Sequence, residues 1–231
     1  MGTSSVWGDG WRDADARASA DLDAHLDSGC GHDGARVVRG VIAHAPLGAH
    51  VFVASSMAIR HLDRHTPQRD DLVWHVNRGV AGIDGNVSTA LGVAVATAAT
   101  TGAPVVAIVG DVALLHDSNA WLLEAAAGTL DLTVVVLDDD GGTIFDLLPP
   151  GAFPAQRNLF ATPHGRDLAH LAALHGLGYA RVDPEGVGAA LPVAGAAGPR
   201  LVHVDVRPLD SAVSTATRSV GAGALGPEDA R

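Results

Sequence analysis

The chain has 231 residues, of which 47% are hydrophobic and only 4% aromatic, so aliphatic side chains must fill its core. A formal charge of −11 at pH 7 argues against a general nucleic-acid or membrane-surface role. The single cysteine excludes an internal disulfide, and no apolar run is long enough to span a membrane. The first residues lack the pattern of a signal peptide, so we expect a cytoplasmic protein.

Apolar periodicity and turn residues divide the chain into alternating helices and strands. In the first part of the chain we predict a loop over 1–10, helices over 12–27 and 34–45, a strand over 49–55 followed by helix-forming residues, and a strand over 71–77. In the middle we predict a helix over 87–100, a strand over 103–110, a helix over 114–128, and a strand over 130–142 that runs into an acid-glycine turn. After a loop-rich stretch over 143–165 we predict a helix over 166–178, a strand over 179–182, a helix over 184–198 interrupted by Pro192, and a strand over 199–208.

The predicted strands are continuous apolar runs rather than alternating ones, which is typical of strands buried on both faces. Together with the strand–helix alternation, this predicts an α/β fold of three layers, α/β/α, around a mostly parallel sheet. We assign residues 1–33 to an N-terminal extension or linker, 34–208 to one α/β domain and 209–231 to a disordered tail.

Polar or glycine residues follow four of the predicted strands, where open α/β sheets bind their ligands. These strand ends are Ser55-Ser56, Asn77-Arg78-Gly79, Gly110-Asp111 and Asp138-Asp139-Asp140-Gly141-Gly142. The two acidic turns follow consecutive strands, and neighbouring strands lie about 4.8 Å apart, so their carboxylates can share one hard cation such as Mg²⁺ or Ca²⁺. The glycines would admit a phosphate close to the backbone. The alternative is that these acids only cap helices and stiffen turns.

Five segments carry a resemblance to a known family. In chain order they are SSMAIRHLD (55–63), NRGVAGIDGNVSTALG (77–92), GDVALLHDSN (110–119), DDDGGTIFDLLP (138–149) and FATPHGRDLAHLAALHGL (160–177). Together they closely resemble the C-terminal, diphosphate-binding domain of the 2-succinyl-5-enolpyruvyl-6-hydroxy-3-cyclohexene-1-carboxylate synthases of menaquinone biosynthesis, a family of thiamine-diphosphate enzymes. The resemblance covers roughly residues 34–208.

The resemblance implies the thiamine-diphosphate-binding fold, thiamine diphosphate and Mg²⁺ as cofactors, and a transferase reaction. In that reaction the succinyl unit from decarboxylated 2-oxoglutarate is added to isochorismate. In this family the catalytic glutamate that activates the cofactor lies on a separate pyrimidine-binding domain, normally of another subunit. We therefore expect the chain to be a split or truncated part of an oligomeric enzyme, with little turnover by itself.

The resemblance also assigns roles to individual residues. The metal ligands would be the side chains of Asp111 and Asp139 and the backbone carbonyl of Gly141. Ile83 would be the apolar wedge under the cofactor, with further cofactor contacts from Ser56, Gly110 and Gly142. Substrate would be bound by Arg60 and Arg78 through its carboxylates, with Asn77, Ile144 and Phe145 nearby. No residue of this chain is assigned a catalytic proton transfer.

The turn at Asp138–Asp140 departs from the family, in which it is usually Asn-rich, and the extra charge could shift the ion preference toward Ca²⁺ or Mn²⁺. We interpret Asp117 as a surface or capping residue, and His164 as a loop residue without metal-site partners at useful spacing. Two alternative functions stay open: another thiamine-diphosphate lyase, such as an acetolactate-synthase-like enzyme, and a non-catalytic remnant that only binds a partner.

Overall fold

The computed structural model describes residues 5–28, 33–123, 130–149, 153, 157–191 and 198–206. They belong to two units, one holding residues 5–28 and the other residues 33–206. The described part of the first unit is a helix, α1, over Val6–Asp27. The prediction of a loop over 1–10 is wrong from Val6 onward. Ser5 begins the helix there, because its side chain accepts a hydrogen bond from the Gly8 amide at 3.1 Å.

The second unit contains six parallel strands, which confirms the predicted parallel sheet. They are β1 (His50–Val53), β2 (Val73–His75), β3 (Val105–Gly110), β4 (Leu132–Asp138), β5 (Gly178–Val182) and β6 (Arg200–Asp205). Their spatial order is β2-β1-β3-β4-β6-β5. The carboxyl ends of β1, β3 and β4 are therefore neighbours at one edge of the sheet, as the acidic turns required.

The described part of the second unit also has six α-helices. They are α2 (Asp33–His44), α3 (Met57–His65), α4 (Asn86–Thr100), α5 (Asp111–His116), α6 (Leu168–His175) and α7 (Val187–Ala190). The stretch predicted as loop-rich holds a short 3₁₀ helix over Thr143–Leu147 and a π-helical turn over Arg157–Ala161. None of the helices described is long and apolar enough to cross a membrane.

Helices cover both faces of the sheet, so the fold has the three layers predicted. Along β3, Ala107 and Val109 pack into one core with residues of α4, α5 and α6. Val106 and Ile108 pack into a second core with residues of α2, α3 and α7. Because successive side chains of a strand point to opposite faces, a continuous apolar run is what a sheet covered on both sides needs.

The helix predicted over 114–128 is wrong in its bounds. Helix α5 begins at Asp111 and ends at His116, and a 3₁₀ helix over Ser118–Leu123 follows. Asp117 separates them, because its carboxylate accepts hydrogen bonds from the Ser88 amide at 2.7 Å and from the Ser88 hydroxyl at 3.0 Å. The expected capping role of Asp117 is confirmed, at the start of α4.

The segment predicted as a helix over 184–198 has only short helical pieces in its described part: a 3₁₀ turn over Pro184–Gly186 and the four-residue α7. Residues 124–129, 192–197 and the tail from 207 lie outside the described residues. The predictions made for those parts of the chain stay predictions.

Candidate functional site

A cavity of about 530 Å³ lies at the carboxyl edge of the sheet. The turns after β1, β3 and β4, together with the loop that precedes α4, form its walls. Eleven of the twelve predicted site residues line it: Ser56, Arg60, Arg78, Ile83, Gly110, Asp111, Asp139, Gly141, Gly142, Ile144 and Phe145. The structure thus brings together residues that lie up to 89 positions apart, between Ser56 and Phe145.

Asn77 is the exception, because it does not line the cavity described here. Its side-chain amide donates a hydrogen bond to the Thr89 hydroxyl at 3.1 Å. The contact ties the end of the β2 segment to the first turns of α4. In the structure Asn77 thus holds the loop that carries Arg78, and its contact with substrate stays a prediction.

Asp111 is the most buried acid of the cavity, with 2% of its surface exposed. Its Oδ1 accepts a hydrogen bond from the Val112 amide at 2.7 Å. Its Oδ2 accepts one from the Gly141 amide at 2.7 Å and lies 2.8 Å from His164 Nε2. The Gly141 contact joins the turn after β3 directly to the turn after β4, as the shared-site hypothesis requires.

Gly141 occupies a position that only glycine can fill. Its φ is +131°, and a Cβ built on it would lie 2.1 Å from the Ala161 carbonyl oxygen. The next amide, of Gly142, donates a hydrogen bond to that same oxygen at 2.6 Å. The turn after β4 therefore lies directly against the π-helical turn, and this close approach places the Gly141 amide beside Asp111.

The three consecutive acids of the turn have three different sets of partners. Asp138 Oδ1 accepts a hydrogen bond from the Asp140 amide at 3.0 Å. Asp139 accepts one from the Thr143 hydroxyl. Asp140 Oδ1 accepts the backbone amides of His164 and Gly165, at 2.9 and 2.8 Å. Only Asp139 of the three lines the cavity.

Burial dominates the electrostatics of the two cavity acids. It raises the pKa of Asp111 to about 6, against the hydrogen bonds from His164 and the backbone amides. It raises the pKa of Asp139 to about 7, with repulsion from Asp111 and Asp138 adding to the effect. Such a pair of desolvated, mutually repelling carboxyls is the environment that a bound cation would relieve.

His164 contacts the acids of the cavity, and the sequence did not predict this contact. It lies in a loop, as predicted, but the prediction that it lacks metal-site partners is wrong. Its Nε2 and carboxylate oxygens of Asp111 and Asp138 all lie within 4.8 Å of one another. Because Nδ1 accepts a hydrogen bond from the Arg166 amide at 3.0 Å, we place the ring proton on Nε2, which donates to Asp111. The signal was present in FATPHG, but His164 is 53 positions from Asp111.

Arg60 and Arg78 bring positive charge to a cavity that otherwise holds buried acids. Both are exposed, and Arg60 Nη1 donates to the Ser56 carbonyl oxygen at 2.6 Å. Within the part of the chain that the structure describes, neither arginine forms an ion pair with an acidic side chain. Their guanidinium groups are therefore available to an anionic ligand.

Two buried polar atoms of the cavity residues have no hydrogen-bond partner among the residues described. They are Ser55 Oγ and Asn86 Oδ1. The amide of Asn86 is oriented by its nitrogen, which donates to the Gly82 and Asp84 carbonyl oxygens at 3.2 and 3.4 Å.

Residues 54–204 match the family described as the C-terminal TPP-binding domain of thiamine pyrophosphate enzymes. Thiamine pyrophosphate, or TPP, is another name for thiamine diphosphate. The match covers well over half of the chain, including every wall of the cavity. The chain belongs to this family. The geometry above is therefore that of a thiamine-diphosphate-binding domain, as the sequence motifs indicated.

Three relatives of this thiamine-diphosphate-binding domain share the name 2-succinyl-5-enolpyruvyl-6-hydroxy-3-cyclohexene-1-carboxylate synthase. The one from Saccharopolyspora erythraea is 45% identical over 175 residues, which is 74% of this chain and 31% of the relative. The one from Thermobifida fusca is 45% identical over 64% of this chain and 27% of the relative. The one from Halobacterium salinarum is 43% identical over 80% of this chain and 31% of the relative. The matched part thus spans about a third of these relatives.

A solved structure supports the fold independently. An enzyme from Mycobacterium smegmatis, described as thiamin diphosphate-dependent, matches 74% of this chain and 31% of its own with a TM-score of 0.57 and 24% identity. At that identity the likeness concerns the fold alone. It agrees with the parallel six-stranded sheet and its flanking helices.

Proposed function

We propose that the chain is the diphosphate-binding part of a 2-succinyl-5-enolpyruvyl-6-hydroxy-3-cyclohexene-1-carboxylate synthase, a transferase that acts on 2-oxoglutarate and isochorismate. The observation that carries the proposal is the gathering of eleven predicted site residues around one cavity. The names and identities of the relatives support it and do not favour an acetolactate-synthase-like lyase or a non-catalytic remnant.

In this proposal Asp111, Asp139 and the Gly141 carbonyl hold Mg²⁺, with Mn²⁺ as the alternative ion. The donor set fits: the two carboxyls are largely buried and repel each other, and hard oxygen ligands suit these ions. An ion here would also find room for the phosphate oxygens that normally complete its shell, since Gly110 and Gly142 line the same wall. Ser56 would add a polar contact.

Thiamine diphosphate, when bound, supplies the carbanion chemistry of the decarboxylation and addition. The residues of this chain would bind and orient it. Ile83, which is 45% exposed at the cavity, offers an apolar surface for the cofactor rings.

Substrate binding would fall to the two arginines. Both substrates are anionic, and the chain carries a formal charge of −11, so local cations are needed to hold them. Arg60 and Arg78 are exposed at the cavity and offer bidentate geometry to carboxylates. Ile144 and Phe145 would supply the apolar wall beside the reacting carbon.

A pyrimidine-binding domain, in cis or on another subunit, would complete the site and supply the catalytic glutamate. Exposed apolar side chains that line the cavity support such a partner: Phe160 is 47% exposed, Ile83 45% and Phe145 37%. Clusters of this kind commonly mark interaction surfaces. The complete enzyme would be an oligomer that works in the cytoplasm.

Calorimetry tests the proposal. Thiamine diphosphate titrated into the chain with Mg²⁺ present should give a binding isotherm, and Asp111→Ala should abolish it. Asp63→Ala, which changes an exposed acid of α3 away from the cavity, is the matched control and should bind as the wild type does. Null isotherms for both the wild type and Asp111→Ala would contradict the proposal.

A further inference from the structure

Three polar side chains form a continuous line across β5, β6 and β4 toward the acidic turn. The Tyr179 hydroxyl lies 2.7 Å from His203 Nδ1, and His203 Nε2 lies 2.8 Å from Asp138 Oδ2. His203 pairs with Arg181 and Val136, so Tyr179 is two residues behind it in register and Asp138 two residues ahead. The three therefore share one face of the sheet, on a diagonal that ends at the metal-binding turn.

The donors and acceptors of this line can be assigned. A carboxylate only accepts hydrogen bonds, so the ring nitrogen that faces Asp138 carries a proton, and the other nitrogen, Nδ1, accepts from the Tyr179 hydroxyl. His203 then carries its proton on Nε2 and donates to Asp138. His203 is 2% exposed, which leaves it no access to water as a substitute partner. Asp138 accepts from His203 through Oδ2 and from the Asp140 amide through Oδ1, so both of its oxygens are engaged.

Without His203, the Asp138 carboxylate could take a second position, in which it would compete with Asp139 for the ion. Its Oδ1 lies 3.9 Å from His164 Nε2, within the group of donor atoms that includes Asp111. A free carboxylate there could turn toward the ion and displace Asp139. An amide at position 138 carries no charge and would not compete in this way.

We propose that Tyr179 and His203 are positioning residues that hold Asp138 toward β6, so that the turn presents Asp139 and Gly141 to the metal. The inference rests on the proposed function, since it assumes the cation and cofactor at this turn. It assigns one task to each acid. Asp138 is held by His203, Asp139 binds the ion, and Asp140 anchors the loop that carries His164.

The test is a rescue experiment read by calorimetry of thiamine diphosphate and Mg²⁺ binding to the whole chain. His203→Leu should weaken binding about tenfold, the usual scale for losing an outer partner of a metal ligand set. Adding Asp138→Asn to His203→Leu should restore affinity to within about threefold of the wild type, because the amide no longer competes for the ion. Asp138→Asn alone should bind nearly as the wild type does, since its carbonyl still accepts from His203.

Two further variants, one milder and one a control, show whether a loss of binding comes from the proposed contact. Tyr179→Phe removes only the hydroxyl and should weaken binding by about threefold, on the scale of one hydrogen bond. It keeps the test falsifiable if His203→Leu unfolds, because Asp138→Asn should rescue it as well. His170→Leu is the matched control, because it replaces an exposed histidine of α6, and it should leave the affinity for thiamine diphosphate and Mg²⁺ unchanged. Thermal unfolding of each variant shows that it is folded.

The outcomes separate the two hypotheses. A wild-type chain that does not bind thiamine diphosphate contradicts the proposed function and this inference with it. If the wild type binds but His203→Leu and Tyr179→Phe bind equally well, only the inference is overturned. Equal losses in His203→Leu and in His203→Leu with Asp138→Asn would also overturn it, because a role in packing alone is not rescued by neutralising Asp138.

Discussion

At the scale of single residues, the cavity concentrates acids that water no longer solvates. Asp111 and Asp139 each gain a raised pKa mainly from burial, and each makes the other harder to ionise. Folding without a cation therefore places two unfavourable charges side by side. This explains why hydrogen-bond donors surround them: the Val112 and Gly141 amides, His164 and the Thr143 hydroxyl.

The stability of the metal-free chain should depend on pH in a definite direction. Both pKa values are higher in the folded than in the unfolded chain, so the folded state binds more protons between about pH 4 and 7. The contribution of these groups is thus most favourable at low pH and is lost as pH rises through 6 and 7. Because one pKa unit corresponds to about 1.4 kcal/mol, we expect at least that loss between pH 5 and 8.

Urea denaturation at the two pH values measures this loss. Asp139→Asn should reduce the difference between pH 5 and 8, because an amide does not titrate. Added Mg²⁺ should raise stability at pH 8 more than at pH 5, since it binds the ionised carboxylates. An identical pH dependence in the wild type and Asp139→Asn would contradict the raised pKa of Asp139.

Gly141 gives a second prediction at this scale. Gly141→Ala should cost about 2 kcal/mol or more and weaken cofactor binding, because the new methyl group collides with the Ala161 carbonyl oxygen at a positive φ. Gly92→Ala is the matched control: it lies inside α4, has no atom within 4 Å of a built Cβ, and should be neutral or stabilising. Equal stabilities of the two variants in urea would contradict the close approach.

The cavity residues themselves could be predicted because they lie in motifs that resemble those of a known family, and parallel strands bring those motifs to one edge. The partners of the acids could not. His164 is 53 positions from Asp111, and His203 is 65 positions from Asp138. Neither histidine has a local pattern that marks it, because the contacts depend on loop paths and strand order that emerge only in the folded chain.

At the scale of secondary-structure elements, strands were predicted more reliably than helix ends. Each apolar run became a parallel strand, and all but β5 are shorter than the predicted run, whereas β5 begins one residue earlier than predicted. The bounds of α5 were wrong for a tertiary reason. Asp117 leaves the helix to cap α4, and local helix preference from 114 onward could not reveal a partner 29 positions away. Asn77 likewise has a partner that local preference could not reveal, because it donates a hydrogen bond to the hydroxyl of Thr89, 12 positions further along the chain.

The Asp117 contact predicts a loss of helix capping. Asp117→Ala should lower the free energy of unfolding by about 1 kcal/mol, because the Ser88 amide in the first turn of α4 loses its acceptor. Denaturant unfolding measures the change, with Asp63→Ala on α3 as a control acid that should cost less. A loss that is no larger for Asp117→Ala than for Asp63→Ala would show that the cap contributes nothing.

At the scale of the whole molecule, the chain corresponds to about a third of its synthase relatives. The fold places two arginines, buried acids and apolar side chains around one cavity, and the exposed edge of that cavity could contact a second domain. The net charge of −11 makes the two arginines important, because an anionic substrate meets little other positive charge at the cavity. Activity should therefore depend on joining this part to a pyrimidine-binding domain.

A chimaera tests that dependence. Residues 34–208 of this chain, placed in the synthase of Saccharopolyspora erythraea instead of its matching segment, should keep synthase activity with 2-oxoglutarate and isochorismate. Arg60→Ala in the chimaera should raise the KM for one of these substrates at least about tenfold, the scale of a lost charged hydrogen bond. Arg64→Ala, one turn further along α3 and away from the cavity, should not. An active chimaera unaffected by Arg60→Ala would contradict the substrate role.

The most direct measurement is a crystal structure of the chain grown with thiamine diphosphate and Mn²⁺, whose anomalous signal locates the ion. We predict one ion between Asp111 and Asp139, bound by both carboxylates and by the Gly141 carbonyl, with cofactor phosphate oxygens in its shell. An ion bound elsewhere, or a cofactor whose phosphates lie away from these residues, would contradict the central claim.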